Sequence, residues 1–153
     1  MIETLDEEIA QLQTEIDEIA TSWDETQLLM TIPGVGPVLA VTIVAEIGEI
    51  ERFSSKKQVV SYAGLDPRVR QSGEKETTAA ITKEGPPVLR WALGQAVLNV
   101  VKYDTALGNF YTRMKSRKQN QKAMVAAMRK LLVWMYAMLS NQEEYDPPKV
   151  AAP

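Results

Sequence analysis

The sequence predicts an all-α protein: a compact helical domain containing a helix-hairpin-helix-like element, behind an N-terminal coiled-coil helix. Three observations lead there. Ile2, Leu5, Ile9, Leu12, Ile16, Ile19 and Trp23 recur with alternating steps of three and four, which is the seam of a heptad repeat. Further on, apolar residues recur at helical spacing in segments that Pro and Gly punctuate where helices start and stop. Finally, the stretch holding Met124, Met128, Leu131, Leu132, Trp134, Met135 and Met138 is apolar nearly all round, as suits a core helix or a subunit contact.

The elements follow in order. The heptad segment, residues 1–24, is expected to form a coiled-coil arm. Isoleucine alternating with leucine favours parallel pairing of two copies, and an intramolecular helical partner satisfies the same pattern. Asp24 is expected to cap a short helix through Met30, and Pro33-Gly34-Val35-Gly36 to turn the chain into a helix from Pro37 to about Ile47. That helix-turn-helix at about 28–47 has the form of a helix-hairpin-helix. Glycines there let the backbone approach an anion, and the following helix N-terminus adds partial positive charge, so Gly34 and Gly36 are candidate phosphate contacts. A tight turn in a helical core explains the same glycines.

Ser54 or Ser55 is expected to cap the next helix, which ends at Gly64. Its lysines, Lys56 and Lys57, oppose the helix dipole, an arrangement that a bound polyanion would relieve. Residues 64–85 lack helical period and form a basic, polar loop or short hairpin. Beyond Pro86-Pro87 come three helices: Val88 to about Tyr103, Thr105 to Lys118, and one capped by Asn120 and running to Leu139. The helical core is therefore 86–140 within a domain of 25–140, and 141–153 is expected to be a flexible tail.

At 153 residues the chain holds one domain with a real core and an appendage. Its net charge of -3 conceals a separation of sign. Residues 1–25 hold nine acids and no base, whereas residues 52–130 hold sixteen Lys and Arg against five acids. A basic body with an acidic arm is expected to bind a polyanion. The chain has no Cys and no His, which excludes Cys/His zinc sites, disulfides and a histidine base. No segment reads as a membrane span or signal peptide, so the expected location is the cytoplasm, with no membrane partner.

One stretch carries more specific information. Ser61-Tyr62-Ala63-Gly64-Leu65-Asp66-Pro67 is followed by Arg68, Arg70 and Ser72-Gly73, then by Ile81-Thr82-Lys83-Glu84-Gly85 and Leu89-Arg90. Together with the Pro33-to-Gly36 turn, these residues resemble in order and spacing the C-terminal domain of the IS110/IS116/IS902 transposases. The likeness spans 27 to about 140. It implies that Ser72 is the nucleophile of DNA strand cleavage and exchange, forming a phosphoserine link. It also implies a RuvC-like domain, outside this chain, whose acidic residues hold Mg2+, so no cofactor is expected in the chain itself. DNA is the implied partner, a bridge RNA a second, and self-association through the coil a third. By the same resemblance the chain is expected to be a fragment of a longer transposase.

A serine hydroxyl attacks a phosphodiester only when the charge on phosphorus is neutralised. Arg68, Arg70, Lys75 and Lys83 are candidates for that, with Arg90, Arg113, Lys115, Arg117 and Lys118 extending the nucleic-acid surface. Pro86-Pro87 departs from the family pattern, which opens the next helix with a polar residue, and Glu84 interrupts the basic run. The competing reading is a non-catalytic helix-hairpin-helix DNA-binding module in which Ser72-Gly73 only turns the loop.

Overall fold

Helix α5, Pro87–Tyr103, is the axis on which the domain is assembled. The structure, a computed structural model, describes residues 2–72 and 75–147. Leu89, Ala92, Leu93, Ala96, Val97 and Val100 of α5 are fully buried. Against this side pack α3 (Pro37–Ile47), α6 (Thr105–Arg117) and α7 (Asn120–Asn141). Each buried Leu or Val among them contributes about 1.5–3 kcal/mol relative to exposure. Short helices α2 (Asp24–Met30) and α4 (Lys56–Tyr62), with a 3-10 turn at Ile50–Arg52, close the core around α3 and α7.

α1 (Ile2–Ser22) packs through its C-terminal part on α3, burying Ala20. The first half of its seam is left open. Ile2, Leu5, Ile9 and Leu12 are all more than half exposed.

The fold class is all-α in its body, with one addition. Residues Pro67–Ser72 (β1) and Lys75–Ile81 (β2) pair antiparallel, so this polar segment is a two-stranded hairpin. The register runs from Ser72 opposite Lys75 to Pro67 opposite Ile81, with an irregularity between Pro67 and Val69.

Several sequence expectations are corrected in detail. Asp24 and Asn120 begin their helices, but the residues in the N-cap positions are Trp23 and Gln119, and neither makes a side-chain cap. Ser55 does cap α4, accepting from the backbone N–H of Gln58 at 3.3 Å. α7 is long and apolar enough to span a membrane, which the sequence reading overlooked. More than half of that stretch is buried in the body of the protein, the pattern of a core helix. The start of the expected free tail is docked: Tyr145 stacks on Trp134 at 5.8 Å, and its backbone N–H donates to Thr31 Oγ1 at 2.8 Å.

Candidate nucleic-acid interface

Residues 62–67, which open the hairpin, are fixed one by one. The Tyr62 hydroxyl donates to the Glu46 carbonyl at 2.9 Å, tying α4 to the end of α3. Arg52, which the sequence reading did not single out, lies over both Phe53 and Tyr62, 4.5 and 4.4 Å from the ring centroids. Its Nε also donates to the Ile47 carbonyl at 3.0 Å. Ala63 and Leu65 are fully buried. Between them Gly64 turns the chain at φ 71°, a conformation in which a Cβ is strained.

The two legs of the hairpin then close on one another. A Cβ on Gly85 would stand 2.1 Å from the Tyr62 carbonyl oxygen, and one on Gly64 would stand 2.9 Å from the Glu84 nitrogen. Only hydrogen fits at either position. Backbone bonds from Thr82 N–H to the Asp66 carbonyl (3.0 Å) and from Lys83 N–H to the Gly64 carbonyl (3.1 Å) continue the closure. Arg90, the fourth residue of α5, completes it. Its Nη1 donates to the Ala63 carbonyl at 3.2 Å and to the Gly85 carbonyl at 2.9 Å, bridging both legs. Arg90, expected from sequence to be a nucleic-acid contact, is thus half-buried and engaged with the backbone.

The other glycine element is built differently. Gly34, at φ 96°, sits so close to α5 that a Cβ would lie 2.9 Å from the backbone of Asn99 and Val100. Packing therefore accounts for Gly34. Gly36 has extended φ and ψ, and a Cβ there meets nothing within 4 Å, so this side of the turn is open. Arg90 and Val100 are ten residues apart on α5, so the hairpin base and the turn are separated by roughly 15 Å along its axis.

Among the expected cationic contacts, Lys56, Lys57 and Lys83 are exposed around the hairpin's approach. The side chains of Arg68, Arg70, Ser72 and Lys75 lie outside the described residues, as does Gly73. Arg113, Lys115, Arg117 and Lys118 form the exposed end of α6, away from the hairpin base in sequence and joined by the short turn into α7. Aromatic rings interleave with these cations: Lys115 lies over Tyr111 at 5.4 Å, and Arg113 and Lys130 both approach Phe110, at 5.8 and 4.7 Å. From Thr105 to Gln142 the sequence holds seven Lys and Arg and no acid. The opposite sign gathers elsewhere, where a groove of about 370 Å3 is edged by Asp24, Glu25, Glu51 and Glu144. Among the described residues no three Asp or Glu side chains come close enough together to share one metal ion.

Sequence comparison agrees with this layout. The profile of the transposase IS116/IS110/IS902 family matches residues 26–112. The chain is 32% identical over 144 residues to the "Transposase for insertion sequence element IS1111A" of Coxiella burnetii, covering 92% of this chain and 40% of that protein. It is 35% identical over 123 residues to the "Pilin gene-inverting protein" of Moraxella bovis, covering 78% and 38% respectively. A "Probable family 20 transposase" of Pseudomonas aeruginosa is 27% identical over 95% of this chain and 44% of its own length. The chain thus spans about two fifths of these relatives. The profile match runs from α2 through α5 into α6 and takes in both the glycine turn and the braced hairpin, so the chain belongs to the IS116/IS110/IS902 transposase family.

Proposed function

We propose that this chain is the DNA-contacting, serine-bearing part of a transposase and that Ser72 is its nucleophile. The observation that carries the proposal is the hairpin. Its base is locked by Gly64, Gly85 and Arg90, and Ser72 is the last residue of β1, paired with Lys75. A locked base sets the direction in which the hairpin leaves the core, and orientation of this kind lowers the cost of reaching the transition state. The basic sequence around Ser72 supplies charge to stabilise the phosphorane-like transition state. In the step itself the serine hydroxyl gives up its proton, its oxygen bonds to phosphorus, one phosphorus–deoxyribose oxygen bond breaks, and the departing sugar oxygen takes up a proton.

In this proposal Mg2+ belongs to acidic residues of a domain outside the chain. DNA lies along the basic surface, with Gly36 at the open side of the turn contacting a phosphate. A guide RNA is a further partner of the same surface, and the exposed first half of the α1 seam pairs two copies. Ser72→Ala in the complete transposase is expected to abolish strand exchange and the protein–DNA adduct while leaving DNA affinity within about twofold. Recombination by that variant at near the parent rate would remove Ser72 from the mechanism and favour a purely DNA-binding role.

A further inference from the structure

We propose that Trp91 is a stacking platform for an unpaired nucleobase at the base of the hairpin. The inference rests on the reading of the hairpin as a nucleic-acid contact and adds the strand state that it takes.

Trp91 follows Arg90, whose guanidinium joins the two hairpin legs, so its place beside the hairpin base is fixed by covalent geometry and two hydrogen bonds. Yet it is 54% exposed, while the next two residues of α5, Ala92 and Leu93, are fully buried. Packing does not account for it. Among the described residues no ring or cation stacks on the Trp91 indole, although Trp134 has Tyr145 beside it. Val88, 48% exposed and one turn earlier on the same face, extends the apolar surface towards the start of α5.

Charge favours a nucleic acid over a protein surface as the occupant. α5 carries Arg90 and Lys102 and no acid, and from Lys83 to Lys130 the sequence holds ten Lys and Arg against two acids, Glu84 and Asp104, whereas the hairpin strands and turn balance Arg68, Arg70 and Lys75 with Asp66, Glu74 and Glu76. Glu84 is the one acid between Ile81 and Tyr103. An exposed indole on a helix of a cationic body suits a single strand: the cations follow the phosphates and the ring takes a base on its π face. A stacked duplex leaves no base face free for it.

The test measures the affinity of the 153-residue chain for a thymidine oligonucleotide, an oligouridine of equal length and a duplex of equal charge, at one salt concentration. Trp91→Leu keeps an apolar side chain but removes the ring. It is expected to weaken single-strand binding about tenfold and to leave duplex binding within about twofold. Trp91→Phe, which retains a ring, is expected to restore most of the loss. Equal losses for oligothymidine and oligouridine mark stacking indifferent to the sugar, and a loss confined to one of them names the strand. Trp91 is more than half exposed, so unchanged thermal unfolding of both variants is expected and separates binding from folding. Unchanged single-strand affinity in Trp91→Leu, or an equal loss on duplex, overturns the platform and assigns the indole to a protein contact. Parent chain that binds none of the three probes overturns the nucleic-acid reading of the hairpin together with it.

Discussion

The glycine turn at 31–36 and the hairpin at 67–81 are both fastened near α5 by glycines that admit no Cβ, yet they are used in opposite ways. Gly34 seats its turn flat against Asn99 and Val100, and the neighbouring Ile32 and Val35 are buried. Gly64 and Gly85 instead press the hairpin's two legs together, and the strands beyond pair chiefly with one another. A turn sunk into the core contributes stability. A hairpin held at its root keeps its far end for something else, and Ser72 and Lys75 are paired at that end.

The largest effect that would break this contrast is at Gly34. Gly34→Ala is expected to cost about 3–4 kcal/mol in urea unfolding, since it adds left-handed strain to a backbone clash on α5. Gly36→Ala, whose backbone is extended and whose surroundings are empty, is expected to change stability by less than about 0.5 kcal/mol. Gly36→Ala is therefore the clean probe of a phosphate contact, because any loss of DNA affinity would come from the blocked approach alone. A harmless Gly34→Ala would show that the turn is not anchored as described.

Next in size is the hairpin root. Gly85→Ala is expected to cost about 2–3 kcal/mol by forcing Tyr62 and Gly85 apart. Arg90→Ala removes two charge-assisted bonds and should cost about 2 kcal/mol, with faster hydrogen exchange at Thr82 and Lys83 than elsewhere. Exchange raised evenly through the helices would mean that Arg90 supports the whole core and not the root of the hairpin.

A smaller effect tests the far side of the glycine turn, where the chain returns. The Tyr145 hydroxyl donates to the buried Asp104, which also caps α6 by accepting from the Leu107 N–H at 2.7 Å. Burial first, then the Asp104 hydrogen bond and charge, push the Tyr145 phenol above its ordinary value of 10.0. Because the folded value is raised, this contribution is complete below the unfolded value and is lost as pH rises through the folded one. The parent should thus lose stability at alkaline pH above 10, and Tyr145→Phe, about 1–2 kcal/mol weaker at neutral pH, should lose less. Identical alkaline profiles would sink the assignment.

The smallest expected effect concerns α1. Its exposed Ile2, Leu5, Ile9 and Leu12 predict weak self-association that strengthens with salt as acidic repulsion is screened. Sedimentation of a strict monomer at high protein concentration in both low and high salt would leave the seam to another helix.

By itself the sequence determined the elements that depend on local chemistry. Proline at the first turns of α3 and α5, Ser55 before α4, Gly64 after it and the heptad steps of α1 each act within a few residues, so their positions could be read directly. Only the tertiary structure decided what the ambiguous residues do. Gly34 and Gly36 look alike in sequence, but one touches a backbone 65 residues away and the other touches nothing. Arg90 read as a cation for phosphate, and the fold also sets its Nη1 on two backbone carbonyls, while Trp91, with no periodic signal to mark it, is left facing outward. Tyr145 sat in a Pro-rich, polar stretch that reads as tail, and its partner Asp104 lies 41 residues away. Local preferences reach only a turn or two along the chain. Which surface meets which is fixed by burial of distant apolar faces, and that burial decides which glycines, cations and rings remain for function.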